Sequence, residues 1–111
     1  MNKIMITGRL TRDPEIRYTT GDNALCIAKM SIAVNRRYKR EGQPDADFFN
    51  CVAFGKTAEV VDKYFKKGMK ADITGRLENN HYTDTNGIKH YTEQISIEEI
   101  EFGESKREVI I

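Results

Sequence analysis

The sequence predicts an all-β domain with one helix, and three of its features support this prediction. Apolar and polar residues alternate over several stretches, as they do in half-buried strands. Glycine, proline, aspartate and asparagine cluster between these stretches, as expected for turns. A single stretch, TAEVVDKYFKKG, spaces its apolar residues at helical intervals. The length of 111 residues is enough for one domain with an ordinary hydrophobic core.

The alternating pattern predicts five strands. In the first strand, Ile4, Ile6, Gly8 and Leu10 share the face that is expected to point inward. The second strand is unusually long, so it is expected to curve through two sheets. The letters DTNG at positions 84–87 predict a hairpin turn between the last two strands. The expected strands are residues 4–10, 24–35, 48–54, 69–77 and 91–102.

The helix is predicted between the third and the fourth strand. Thr57 is the expected N-cap, and Val60, Val61, Tyr64 and Phe65 form one apolar stripe. Two lysines occupy the last turn, and the glycine after them is expected to end the helix. The resulting order is three strands, one helix and two strands. This is the order of the OB-fold, a five-stranded Greek-key barrel.

The pentapeptide ITGRL occurs twice, at Ile6–Leu10 and at Ile73–Leu77, and each copy falls within a predicted strand. The similarity does not extend beyond these residues, so convergent geometry explains it better than duplication. An isolated glycine in a strand often marks a bulge or a close approach of two backbones. We therefore expect Gly8 and Gly75 to permit curvature while the flanking isoleucine and leucine residues face the core.

The charges of the chain are divided along its length. Residues 1–76 contain 15 Lys/Arg and 9 Asp/Glu, whereas residues 77–111 contain 3 and 8. A basic body with an acidic end is typical of a surface that binds a polyanion. Cys26 and Cys51 are expected to be buried free thiols in a reducing compartment. No apolar run is long enough for a signal peptide or a membrane span, so we expect a cytoplasmic protein.

The residues do not predict an enzyme, a metal site or a cofactor. His81 and His90 are the only histidines, and neither has metal-ligand spacing relative to the two cysteines. Glu98, Glu99 and Glu101 belong to a late strand and are expected to be a solvated edge. No glycine-rich phosphate loop is present, and no histidine base is placed next to a nucleophile.

Aromatic residues that lie among basic and polar residues are the strongest functional signal. Tyr38 lies in RRYKR, and Tyr82 lies in NNHYTD before the predicted turn. Phe48 and Phe54 share the outer face of the third strand, whose opposite face is expected to enter the core. Flat rings beside cations suit unpaired nucleobases, whose faces a duplex hides. The alternative is that these rings pack in the core or between subunits.

The chain resembles the bacterial single-stranded DNA-binding proteins over residues 2–102. The resemblance rests on NKIMITGRLTRDPEIRYT, FFNCVAFGKTAEVVDKYFKKG and ITGRLENNHYTDTNGIKHYT. It implies an OB-fold and a homotetramer built as a dimer of dimers. It also implies a cytoplasmic, nucleoid-associated protein that coats single-stranded DNA in replication, recombination and repair, without catalysis and without a cofactor.

The resemblance also implies roles for individual residues. Base stacking is expected from Tyr38, Phe48, Phe54 and Tyr82. Phosphate contacts are expected from Arg9, Arg36, Arg37, Lys39, Arg40, Lys56, Lys67 and Arg76. The chain departs from the family pattern because it contains no tryptophan, which many relatives use for stacking. It also has Asn50, Glu78, Asn80 and His81 where many relatives are basic.

We expect a DNA-binding domain over residues 1–103 and a short flexible tail over residues 104–111. The chain ends in GESKREVII, without the long linker and acidic, aromatic-tipped peptide of full-length relatives. Recruitment of repair proteins through such a tip is therefore not expected. Two other functions stay open at this point. One is a primosome-accessory or RNA-binding OB-fold protein, and the other is an oligomerisation or adaptor module that binds no nucleic acid.

Overall fold

The computed structural model describes residues 1–104, which form eight strands and one helix. The expected all-β architecture with one helix is confirmed, and the five expected strands correspond to β1, β3, β4, β5 and β8. The short strands β2, β6 and β7 were not expected as strands. The elements are β1 Ile4–Leu10, β2 Glu15–Tyr18, β3 Cys26–Asn35, β4 Ala46–Phe54, α1 Lys56–Tyr64, β5 Lys70–Asn79, β6 Tyr82–Thr83, β7 Lys89–His90 and β8 Glu93–Phe102.

Five strands close into a barrel in the order β1-β5-β8-β4-β3, and β3 returns to β1. The closing pairs are Arg9 with Ala33 and Leu10 with Ile32. The β4–β8 pairing is parallel, whereas the other pairings in this ring are antiparallel. Strand β2 lies outside the ring and pairs with the first residues of β3. The predicted OB-fold is therefore confirmed.

The core occupies the interior of the barrel, as the alternating pattern predicts. Ala28, Met30 and Ile32 of β3 are almost completely buried, as are Ile73 of β5 and Ile95 of β8. Cys26 and Cys51 are buried free thiols, as expected. Burial raises the pKa of the Cys51 thiol to about 12, so this group stays protonated near neutral pH.

The helix packs against β3, β4 and β8, but its ends differ from the prediction. It begins at Lys56, and the N-cap is Gly55 with a φ of 64° and no side-chain cap. It ends at Tyr64, because Phe65 is extended and its ring enters the core at 1% exposure. The predicted N-cap at Thr57 and the predicted end at Gly68 were therefore wrong. Both lysines expected in the last turn, at positions 66 and 67, follow the helix.

The predicted apolar stripe of the helix is only half correct. Val61 and Phe65 are buried together with Ala58, which the prediction did not include. Val60 and Tyr64 are 39% and 41% exposed. Residues 58, 61 and 65 follow the helical spacing of three and four, so they form the face that meets the barrel. The small side chain of Ala58 allows this face to approach the strands closely.

The two ITGRL segments belong to neighbouring antiparallel strands but meet only at their isoleucines, since Ile6 pairs with Ile73, whereas Gly8 pairs with Ala71 and Gly75 pairs with Ile4. A Cβ atom at Gly8 would overlap the carbonyl oxygen of Ala33, and one at Gly75 would overlap that of Ser96. The pairing of β5 with β8 also has a bulge between Thr74 and Gly75. The expected close approach is confirmed at both glycines, and the expected irregularity of the strand is confirmed beside Gly75.

The two leucines of the repeat do not share one environment. Leu10 is 2% exposed, but Leu77 is 39% exposed, so the inward position expected for Leu77 was wrong. Leu77 follows the bulge that shifts the register of β5 against β8. Beyond this bulge, β5 extends toward the β6–β7 hairpin and leaves the core.

Replacing Gly75 with alanine should reduce the free energy of unfolding by roughly 1–3 kcal/mol, because the added methyl group overlaps backbone atoms of β8. Gly8→Ala should behave similarly. Thr20→Ala, on an exposed bend, serves as the control and should change stability by less than about 0.5 kcal/mol. The measurement is urea unfolding followed by circular dichroism. A Gly75→Ala protein as stable as the parent would contradict the close approach.

Candidate nucleic-acid interface

An open groove crosses the outer surface of β3 and β4 and reaches the base of the β6–β7 hairpin. It consists of two adjoining cavities of about 260 and 230 Å³, which share Lys29, Val52, Asn80 and Gln94. Val52 is only 3% exposed and forms an apolar floor. The shared residues supply a cation and two amides around this floor. We call this surface the outer groove.

Two of the four predicted stacking residues line the outer groove. Phe54 lines one cavity and is 45% exposed, and Tyr82 lines the other and is 51% exposed. Phe48 lies on the same face of β4 as Phe54 and is 68% exposed. It lies beyond Asn50, which lines the Tyr82 cavity. The expected outward face of β4 is therefore confirmed. It places the rings of Phe48 and Phe54 on one surface of the strand.

Tyr38 lies in the loop between β3 and β4, which we call the basic loop (residues 36–45). Two backbone hydrogen bonds shape this loop. The Arg36 N–H donates to the Asp45 carbonyl oxygen at 2.8 Å, and the Gln43 N–H donates to the Arg40 carbonyl oxygen at 3.0 Å. Tyr38 is 79% exposed, which excludes core packing for this ring. The loop extends from the end of β4 at which Phe48 lies.

An ion pair fixes the first residue of the basic loop. The Arg36 guanidinium donates to both carboxylate oxygens of Asp47, with an Nη2–Oδ1 distance of 2.8 Å and an Nε–Oδ2 distance of 3.1 Å. These hydrogen bonds lower the pKa of the Asp47 carboxyl below its ordinary value. Part of the charge expected to face a phosphate is therefore already compensated. In contrast, Arg37, Lys39 and Arg40 are exposed and form no ion pair within residues 1–104.

The other predicted phosphate contacts do not line the outer groove. Arg9 donates to the Gly68 carbonyl oxygen and pairs with Glu104. Arg76 pairs with Glu78 at 2.6 Å. Lys56 lines a separate depression beside the helix, and Lys67 follows the helix on an exposed turn. Their role as phosphate contacts stays a prediction.

Three cations of the outer groove were missed at the sequence level. Arg17 and Lys29 line the Phe54 cavity, and Arg12 and Lys29 line the Tyr82 cavity. Lys29 has an outward position in the alternation of β3, so the pattern could have revealed it. Arg17 could not be placed, because β2 is too short to give a clear pattern. Glu15 is the acid that lies beside these cations in the Phe54 cavity.

Other kinds of site receive no support from the described residues. Within residues 1–104, no group of three or more His, Cys, Asp or Glu side chains is arranged to hold a metal ion. No helix in this part of the chain has the length and apolarity needed to cross a membrane. The expected tail, apart from Glu104, lies outside the described residues.

A closed OB-fold barrel with exposed rings and cations along one groove defines a class of nucleic-acid-binding domains. Comparison with known proteins identifies the family. The model of the single-strand binding protein family matches residues 1–103. The chain therefore belongs to this family.

The chain is similar to several curated members of the family. "Single-stranded DNA-binding protein 3" of Clostridium acetobutylicum is 40% identical over 102 residues, which cover 92% of this chain and 70% of the relative. "Single-stranded DNA-binding protein" of Clostridium perfringens is 37% identical, with 95% and 67% coverage. The Fusobacterium nucleatum protein of the same description is 42% identical, with 96% and 69% coverage.

The carboxyl of Asp47 should titrate below the ordinary aspartate value of about 3.9. Because the folded pKa is the lowered one, the stabilisation is present above the ordinary value. It is lost as the pH falls through the folded pKa. Arg36→Met should raise the Asp47 midpoint. Asp84, whose pKa is lowered mainly by His90, serves as the control and should not respond. Carboxyl-carbon NMR titration measures both, and an unchanged Asp47 midpoint would contradict the ion pair.

Proposed function

We propose that this chain binds single-stranded DNA without sequence preference and coats it during replication, recombination and repair. The observation that carries the proposal is the outer groove, in which the exposed rings of Phe54 and Tyr82 lie beside Arg12, Arg17 and Lys29. Stacking on a ring tolerates any base, while the cations attract the phosphates. The names of the curated relatives support the same function.

The shape of the surface favours single strands over a duplex. Duplex reading usually requires a helix or a two-stranded ribbon that enters a groove of the DNA. Helix α1 has nine residues and packs against the barrel, and its outer face carries both acids and lysines. The aromatic rings stand on the barrel and the loops instead. Unpaired bases can reach them, whereas stacked and paired bases cannot.

A strand of DNA would follow the residues in a definite order under this proposal. It would pass from Tyr38 in the basic loop along Phe48 to Phe54, with Tyr82 on the hairpin side. Arg37, Lys39 and Arg40 would contact phosphates near the loop. Arg12, Arg17 and Lys29 would do so in the outer groove. Further proposed phosphate contacts are Arg9, Arg36, Lys56, Lys67 and Arg76. The three arginines among them already have carboxylate partners.

We also propose that the protein is a homotetramer, a dimer of dimers, that acts in the cytoplasm without catalysis. Family membership supports these proposals. The tetramer has additional support from β1, where residues 4–8 pair only with β5 within the described chain. Their second edge offers backbone groups to another strand, and Met5, which is one of these residues, is 78% exposed. The two buried free thiols are consistent with a reducing compartment.

Binding of a thymidine homopolymer, an equal-length duplex and a uridine homopolymer tests the function directly. We expect the single-stranded DNA to bind most tightly at modest ionic strength. The logarithm of its association constant should fall with the logarithm of salt concentration by about 0.7 per phosphate neutralised. Fluorescence anisotropy gives the affinities, and light scattering gives the mass of the free protein and of the complex.

Each other outcome of this titration identifies a different function. Equal affinity for the two homopolymers would indicate an RNA-binding or primosome-accessory protein. Equal affinity for single-stranded and duplex DNA would contradict base stacking. No binding to any of the three at low salt would indicate an oligomerisation or adaptor module.

Phe54→Ala should weaken binding to the thymidine homopolymer by roughly 1–3 kcal/mol if Phe54 stacks on a base. Tyr64→Ala is a matched control, since Tyr64 is a comparably exposed ring on α1, outside the outer groove. It should leave the affinity unchanged. Thermal unfolding and light scattering show whether each variant keeps its fold and subunit number. If Phe54→Ala unfolds the protein or dissociates the oligomer, Phe54 has a packing role instead.

A further inference from the structure

Three side chains of the β6–β7 hairpin contact one another in series: Asp84, His90 and Tyr82. The His90 Nε2 lies 2.9 Å from the Asp84 Oδ2. The imidazole ring of His90 also stacks on the Tyr82 ring, with centroids 4.7 Å apart and an angle of 11° between the planes. One face of the tyrosine is therefore covered, yet the residue is still 51% exposed.

Asp84 is held by the turn that it begins. Its Oδ1 accepts the backbone N–H groups of Asn86 at 2.9 Å and Ile88 at 3.0 Å. The Asp84 N–H donates to the Ile88 carbonyl oxygen at 3.0 Å. One carboxylate oxygen is thus occupied by the turn, and this fixes the direction of the other toward His90. The Asp84 side chain is only 29% exposed, which limits the access of water molecules that would compete with His90 for its carboxylate.

The hairpin strands cannot hold Tyr82 by themselves. Strands β6 and β7 each contain two residues, and Tyr82 and His90 face each other across them. A two-residue ladder gives little order to an exposed ring, so a free tyrosine would occupy several rotamers. The flat contact with His90 selects one orientation, and the Asp84 hydrogen bond selects the orientation of His90.

We propose that His90, fixed by Asp84, is a positioning residue that holds the ring of Tyr82 with its uncovered face ready for a nucleobase. This inference rests on the proposed function. A ring that is already ordered loses less conformational freedom when a base stacks on it, so binding is tighter. The base would extend a stack that already contains the imidazole and the phenol rings.

The groups around His90 are few. Asp84 faces it from the turn and Tyr82 faces it from β6. His81 contacts Tyr91 instead, with ring centroids 5.0 Å apart at 74°. Lys89 is the chain neighbour of His90 and pairs across the hairpin with Thr83. The hydrogen bond from His90 is the main cause of the lowered pKa of Asp84, and the bonds from Ile88 and Asn86 act in the same direction.

Affinity for a labelled thymidine homopolymer should separate the roles of ring and hydrogen bond. We expect Tyr82→Ala to weaken binding by roughly 5- to 150-fold. His90→Ala should weaken it by roughly 2- to 13-fold, the effect of immobilising one free side chain on binding. His90→Gln, which keeps a hydrogen-bond donor but no ring, should resemble His90→Ala. His90→Phe, which keeps a flat ring but loses the hydrogen bond to Asp84, should recover part of the affinity.

A double-mutant cycle gives the second test, because positioning acts only through Tyr82. Adding His90→Ala to Tyr82→Ala should cause no further loss of affinity. Carboxyl-carbon NMR shows whether the contact exists in solution: the Asp84 midpoint should rise in His90→Phe, which lacks the hydrogen bond. Thermal unfolding controls for the fold, which should persist because the hairpin lies outside the barrel core.

Three results would overturn the proposal. The first is a His90→Ala protein that binds as tightly as the parent while Tyr82→Ala is weakened. The second is a His90→Ala effect of equal size with and without Tyr82, since His90 would then contact DNA itself. The third is a failure of His90→Phe to recover affinity. A parent protein that does not bind the homopolymer would refute the proposed function as well, so the two failures are distinguishable.

Discussion

The pairing of β1 with two strands at once is the constraint on which the rest of the structure depends. Residues 4–9 of β1 pair with β5. The last residues of the strand, Arg9 and Leu10, pair with β3 and so close the barrel. The backbones approach so closely at Gly8 that a Cβ atom would overlap the Ala33 carbonyl oxygen. The second ITGRL meets the same demand where β5 crosses β8. Closure separates an inner face, which forms the core, from an outer face, which is free to bind.

The separation of the two faces determines which aromatic residues of β4 are exposed. Phe49, Cys51 and Ala53 point into the barrel, so Phe48 and Phe54 on alternate positions of β4 must point outward. The exposed part of a phenylalanine ring contributes no hydrophobic stabilisation to the free protein, because it stays in water. It contributes only when another flat group, such as a nucleobase, stacks on it. The rigid strand therefore presents rings that a flexible segment would have to order first.

Some cations of the basic part of the chain have a carboxylate partner and others do not, which the composition does not show. Arg9, Arg36 and Arg76 belong to the basic part of the chain, yet each contacts a carboxylate. These exposed pairs add little to stability, because surface ion pairs are screened by water. Their larger effect is on the local potential, which becomes less positive around each pair. The basic loop and the outer groove, in contrast, keep cations that form no ion pair within residues 1–104, among them Arg37, Lys39 and Lys29.

The sequence by itself determined the strands of the barrel and the inner and outer faces of β4. It also determined the close backbone approach at both glycines and which aromatic residues are exposed. These properties follow from the alternation of near neighbours along the chain. The tertiary structure alone decided which cations are paired, that β2 adds Arg17 to the outer groove, that Leu77 leaves the core, and that His90 stacks on Tyr82. Arg9 and Glu104 illustrate the reason, because they are 95 positions apart and meet only when the barrel closes. Contacts between residues distant in the chain depend on closure and register, and shorter-range contacts such as that of His90 with Tyr82 depend on how the hairpin pairs, so local patterns encode neither.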